Sequence, residues 1–181
     1  YDEANNLFLK LLNESIKRQN EIMKYCILSN LVFTSLIQKD IKSGFDYLNR
    51  IDEQFTDDLD LRMYKCLLYY FAHEYTKSKE CIASFFRDVK DSKYHKNFIR
   101  ALKYMMDNKP MKAIDNFETC YQIALKNGQY DRAIFILKQL NELYLDCGLQ
   151  NKLKKVKELQ ENFYKMSYAN QIIEDIELKL N

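Results

Sequence analysis

Tryptophan is missing from this chain of 181 residues, and the punctuating residues nearly so: there is one proline and there are three glycines. A β-sandwich or barrel needs turn residues every dozen positions or so, and that architecture is excluded. Glycines at 44, 128 and 148 alone also leave no phosphate-cradling loop. The two histidines, His73 and His95, have no neighbour at metal-ligand spacing, and no nucleophile-elbow sequence occurs. Acid pairs such as Asp57-Asp58 fall where helix starts explain them. No stretch approaches the ~20 apolar residues that cross a bilayer. An excess of one charge is lacking too. With 28 basic residues against 26 acidic the net is +2, which gives no reason to make nucleic acid a partner of this segment. Five cysteines, at 26, 66, 81, 120 and 147, are odd in number and show no Cys-x-x-Cys spacing. They suit small packing residues in a reducing cytoplasm better than disulfides or zinc ligands. The expectation is a cytoplasmic chain without catalysis, cofactor, metal or membrane contact.

What is present is helical patterning with a long period. Small residues recur at Gly44, Ser78 and Ala113, spaced by 34 and 35, and a fourth copy centred on Leu153 follows after 40. Other columns repeat with them. Nine residues earlier stand Ser35, Tyr69, Tyr104 and Tyr144, and twelve earlier Val32, Cys66, Ala101 and Asn141, mostly small enough for two helices to cross closely. Four residues later come Leu48, Ile82 and Phe117. A period in this range marks stacked helix pairs. Helices are expected near 21–38 with 41–54, 59–74 with 76–90, 93–107 with 110–126, and 131–147 with 150–166. Asp40, Thr76 and Ser92 stand where N-caps are needed, Pro110 suits a first helical turn, and Gly128 and Gly148 suit helix C-termini.

At Cys66-Leu67-Leu68-Tyr69-Tyr70-Phe71-Ala72-His73-Glu74-Tyr75-Thr76-Lys77-Ser78 the chain resembles the tetratricopeptide repeat, and the resemblance runs from about residue 20 to 166. It departs from the family in having no tryptophan, a serine at position 35, and Lys157 and Gln160 where the last copy should be apolar. The resemblance implies an all-α, right-handed superhelix of about four antiparallel helix pairs forming one domain over 1–181. Residues 3–17 read as the second helix of a repeat whose first is absent, so a fragment lacking an N-terminal domain is expected. Ser167 is placed to cap a closing helix over 167–180, with Ile172, Ile173, Ile176 and Leu180 on one side, serving as a solvent-facing cap or a homodimer contact.

In a stack of this kind the first helix of each pair lines a concave groove. The register assigns to it Phe33 from the first copy, Met63, Leu67 and Tyr70 from the second, and His95, Phe98, Leu102 and Met105 from the third. Phe135 and Lys138 come from the fourth. An apolar inner surface rich in methionine and aromatics suits a hydrophobic peptide. The same stripe reads alternatively as plain core. Ser29, Phe33, Met63, Leu67, Phe98 and Leu102 supply no fixed cation, which excludes a clamp for a chaperone's C-terminal carboxylate. Lys138, near Glu142 and Asp146, is placed to orient one charged end of a peptide. The basic cluster of Lys152, Lys154, Lys155 and Lys157 reads as a solvated helix face.

Helical repeats rich in lysine, asparagine, isoleucine and tyrosine, of irregular length and closed by a capping helix, are also similar to the C-terminal domains of peptide-pheromone receptors of low-GC Gram-positive bacteria. Those are the Rgg- and PlcR-like transcription regulators. This resemblance implies a quorum-sensing role in which the groove holds a short re-imported peptide, DNA is met only through a separate N-terminal domain, and the repeats dimerise. The competing expectation is a scaffold that holds a partner protein, with no small ligand and no link to DNA.

Overall fold

The computed structural model describes residues 2–163 and 165, and among these it is all-α, with no strand. The helices are α1 (Asp2–Lys17), α2 (Glu21–Gln38), α3 (Ile41–Asn49), α4 (Leu59–Phe71), α5 (Tyr75–Asp88), α6 (Lys93–Met106), α7 (Pro110–Lys126) and α8 (Tyr130–Asp146), with a short 3₁₀ turn at Glu53–Phe55. A further helical stretch covers residues 150–163. The closing helix expected over 167–180 lies outside the described residues.

Local chemistry sets the helix starts. The side chain of Asn20 accepts from the Met23 N–H at 2.9 Å, Asp40 from Ser43 at 3.2 Å, and Asp58 from Asp60 and Leu61 at 2.9 and 3.0 Å. Each satisfies N–H groups that a helix leaves without an internal partner. Pro110 opens α7, where its missing N–H costs nothing. Two of the expected caps differ. Thr76 lies inside α5, whose cap is Glu74, and Ser92 caps α6 by position only, because its hydroxyl meets the His95 ring instead.

Helix ends explain why the period is legible. Lys39, His73, Asn108 and Gly148, each five residues before the small-residue column, adopt left-handed φ of 58°, 59°, 53° and 67°. The next N–H, on Asp40, Glu74, Lys109 and Leu149, donates back to the carbonyl of Ser35, Tyr69, Tyr104 and Tyr144 at 2.9, 2.9, 2.8 and 2.9 Å. The same C-terminal capping motif also follows α1 at Gln19 and α7 at Gly128, so among the described residues it is used six times. The tyrosine column is therefore a cap position as well as a packing one. Lys77, Lys112 and Lys152 stand over the rings of Tyr69, Tyr104 and Tyr144 at 5.5, 5.7 and 5.5 Å.

Some expected ends are corrected by tertiary packing. The first pair's second helix stops at Asn49 rather than 54. Ile51 turns inward, Asp52 is extended and accepts from Lys24 Nζ at 3.1 Å, and Phe55 stacks on Tyr25 at 4.4 Å. The chain thus returns to α2 instead of continuing as helix. The helix expected to reach 74 ends at Phe71 because His73 is left-handed, and α5 ends at Asp88 because Val89 is extended and buried.

Consecutive helices pack on one another from α1 to α8, and α2–α4 and α4–α6 also touch. The small column makes the crossings close. A Cβ on Gly44 would stand 2.6 Å from Leu68 Cδ2, Ser78 is fully buried with its hydroxyl donating to the Cys66 carbonyl at 3.0 Å, and Ala101 and Ala113 are both fully buried. Among the described residues no helix is long and apolar enough to cross a membrane.

Candidate functional site

The helices α2, α4, α6 and α8 turn one face toward each other, and the middle of that face is filled. Phe33 of α2 stacks on Tyr64 of α4 at 5.6 Å and meets Phe135 of α8 edge-on, also at 5.6 Å. Phe135 in turn lies parallel to Phe98 of α6 at 6.1 Å. Met63, Leu67, Phe98, Leu102 and Phe135 retain between 0% and 3% of their surface. These five are core as they stand, and the predicted groove is not an open channel along its length. The physical reason is α8. Its side chains reach α2, α4 and α6: Phe135 lies between Phe33 and Phe98, Arg132 pairs with Asp60 at one end, and Glu142 with Lys39 at the other.

At the C-terminal ends of these helices the face opens. A recess of about 300 Å³ is lined by Lys39, Ile41, Tyr70, Phe71, Met105 and Glu142, with His73 and Tyr75 at its edge. Tyr70 and Met105 are half-buried, and the Tyr70 ring contacts Phe71 at 5.5 Å and Tyr75 at 5.8 Å. Burial, then the neighbouring Tyr75, Glu142 and Asp146, hold the Tyr70 phenol above its ordinary range. Lys39 Nζ lies 2.7 Å from Glu142 Oε1, and both side chains are exposed. That ion pair bridges α8 and the end of α2. Lys138 is half-buried beside it, its ammonium pushed down first by burial and then by Lys39.

The N-terminal ends carry a polar cluster that includes His95, a residue the register assigned to the groove, though its bonding to Ser92, Asp60 and Arg132 was not legible in the sequence. Asp60 of α4 accepts from Arg132 Nη2 of α8 at 2.5 Å and faces His95 Nε2 of α6 at 2.8 Å, while His95 Nδ1 lies 2.5 Å from Ser92 Oγ. Burial pushes the Asp60 carboxyl up, but His95 and Arg132 outweigh it and leave it below its ordinary value. An ionised carboxylate only accepts, so Nε2 carries a proton and Nδ1 faces the hydroxyl. The Arg132 guanidinium also covers the Tyr94 ring at 5.2 Å. The hydroxyl, imidazole and carboxylate form a row, but the same carboxylate is neutralised by Arg132, and no cleft described here includes Ser92 or His95. The row ties three helices together. Its members are 35 and 72 residues apart, which no local motif could reveal.

Three larger clefts lie on other surfaces, the smallest of about 370 Å³ beside Gln150, Leu153, Lys154 and Lys157. Another, of about 480 Å³, is walled by α3, α4 and α5 and includes Phe45, Arg62, Lys65, Tyr69, Cys81 and Asp88. The third, of about 590 Å³, runs between α7, α8 and the helix over 150–163 and includes Glu118, Tyr144, Lys152, Lys155 and Leu159. There Tyr144 Oη donates to Glu118 at 2.5 Å and Lys152 lies 2.7 Å from the same carboxylate. Burial raises the Glu118 carboxyl, and Lys152 and Tyr144 bring it below its ordinary value. Lys152 is thus engaged, whereas Lys154, Lys155 and Lys157 are exposed. Among the described residues no three His, Cys, Asp or Glu side chains gather as a metal ion would need. Set against family models, curated proteins and solved structures, the chain matches none of them.

Proposed function

We propose that the chain is a tetratricopeptide-like helical repeat domain that binds a short hydrophobic peptide at the C-terminal ends of its inner helices. The observation that carries this reading is the recess of Tyr70, Phe71, Met105 and Ile41, an apolar hollow rimmed by one cation and one anion. Its volume of about 300 Å³ falls at the low end for ligand sites, which suits the anchoring of a side chain rather than enclosure of a whole ligand. Lys39 and Glu142 are placed to exchange their mutual contact for a peptide's charged termini. The wider role, also a proposal, is that of the peptide-sensing part of a bacterial transcription regulator, with DNA contacted through another domain. That role rests on the resemblance in sequence alone.

The size of the two largest of the other clefts favours a second reading, a scaffold that holds a partner protein on those surfaces. Fluorescence polarisation with a pool of short hydrophobic peptides separates the two. Truncating an anchor residue typically costs ~2 kcal/mol, a loss of about thirtyfold. The double change Tyr70→Ala, Met105→Ala is expected to abolish micromolar binding while helix content persists, and Lys154→Ala with Lys155→Ala to leave it unchanged. Binding that survives the first and fails with the second would hand the function to the cleft beside α7.

A further inference from the structure

The recess at the C-terminal ends of the inner helices is walled by four rings, Tyr70, Phe71, His73 and Tyr75. Phe71 stands at 61° to Tyr70 with the ring centres 5.5 Å apart, and Tyr75 at 55° with 5.8 Å. His73 is held against Tyr75, its Nδ1 2.9 Å from the phenol oxygen and its ring nearly perpendicular at 80°. The backbone makes this grouping. His73 is left-handed, with φ 59°, so the chain turns sharply after α4 and brings Tyr75, the first residue of α5, back beside Tyr70.

The chain already sets one cation against these rings. Lys39, left-handed at the end of α2, holds its ammonium 6.0 Å from the centre of the Phe71 ring and 2.7 Å from Glu142 Oε1. The face of an aromatic ring is electron-rich, so it attracts a cation and repels an anion. Rings and carboxylate therefore select the same sign of charge. One turn from Glu142 on α8 stand exposed Asp146 on one side and half-buried Lys138 on the other, and neither of these lines the recess. Lys39 is the member able to leave. Its side chain is exposed and carries its charge on a flexible stem, whereas Tyr70, Phe71 and Met105 are half-buried and packed against the core.

We propose that the recess takes an organic ammonium, the free amino end of a hydrophobic peptide, in the place that the Lys39 ammonium holds here. This rests on the peptide reading of the same site and fixes which end of the peptide enters. The incoming ammonium lies over Phe71 and donates to Glu142, the first side chain of the peptide lies on Ile41 and Met105, and Lys39 swings out to water. A volume of about 300 Å³ suits one such residue. A carboxylate in the same place would meet the ring face and the Glu142 carboxylate, both of which repel it.

The test uses the full chain with its methionine methyl groups labelled for NMR, and two small probes. Leucine amide carries a free ammonium, and N-acetyl-leucine amide is neutral. Leucine amide should move the Met105 methyl signal and leave that of sealed Met63 in place. The acetylated probe should bind about tenfold more weakly, the loss expected when a cation–π contact and a charge-assisted bond go together. Lys39→Met, which keeps an apolar stem and removes the competing ammonium, should tighten leucine amide, and Glu142→Gln should weaken it. The proposal is overturned if the acetylated probe binds as tightly, if Lys39→Met weakens binding, or if neither probe moves Met105. A longer hydrophobic peptide that binds equally well before and after N-acetylation would overturn it too, while leaving the peptide reading standing. Leucine amide seated at Met105 with no longer peptide bound would instead support the ammonium site and remove the peptide reading.

Discussion

Phe98 and Met105 lie two turns apart on one face of α6, as Met63 and Tyr70 do on α4, yet the first of each pair is sealed and the second is accessible. The four were assigned to one groove because they share a face. The difference teaches that position along the helix, rather than the face, separates core from site here. What sets it is α8, whose Phe135 closes the middle while Glu142, also two turns further on, only bridges the rim.

The largest expected effect breaks the sealed half. Phe98→Ala removes a ring packed against Phe117 and Phe135 and should cost about 3–5 kcal/mol in urea unfolding, because the cavity cannot fully collapse. Such a variant reports on stability and not on a ligand. Met105→Ala, in the open half, should cost under about 1 kcal/mol. Equal costs would erase the distinction between the two halves.

Next in size is the polar cluster that pins α8 at the other end. Asp60→Asn should lose about 2 kcal/mol, the worth of charge-assisted bonds to Arg132 and His95. Its pH dependence has a definite sign. The folded-state pKa of Asp60 lies below its ordinary value of 3.8, so protons favour the unfolded chain. The stabilisation is complete above pH 3.8 and fades as pH falls through the lower folded value. In unfolding followed by circular dichroism, Asp60→Asn should therefore be less stable than the parent above pH 3.8, and the gap should close as pH falls, giving a shallower slope in the acid limb. An unchanged slope would show that the carboxylate is not coupled to folding.

The smallest effect concerns the rim. Glu142→Gln removes an exposed ion pair with Lys39 and should shift stability by less than about 0.5 kcal/mol. A larger loss would mean that this pair, not the aromatic plug, holds α8 in place.

Much of the architecture was legible because the repeat is written in local chemistry. The column at Ser35, Tyr69, Tyr104 and Tyr144 is a capping carbonyl met by an N–H five residues on, and Ser78 bonds twelve residues back to Cys66, although the close approach of Gly44 is to Leu68 of the next helix pair. The start of α2 and both ends of α7 agree with the residues expected from the pattern. Nothing local could reveal that Phe135 fills the space between Phe33 and Phe98, or that Asp60 meets Arg132, since these contacts join helices brought together only by the whole stack. The early end of α3 was hidden for the same reason: Phe55 leaves the helical pattern to stack on Tyr25, thirty residues back.

The division of the inner face is tested most directly by its methionines, which the sequence treats alike. Brief oxidation of the folded chain, with each sulfoxide located by peptide mapping, compares Met63, Met105 and the exposed Met111. Met111 and then Met105 should oxidise in the native state, with Met63 modified only when denaturant opens the core. Native-state oxidation of Met63 at the rate of Met105 would mean that the inner face is an open groove after all.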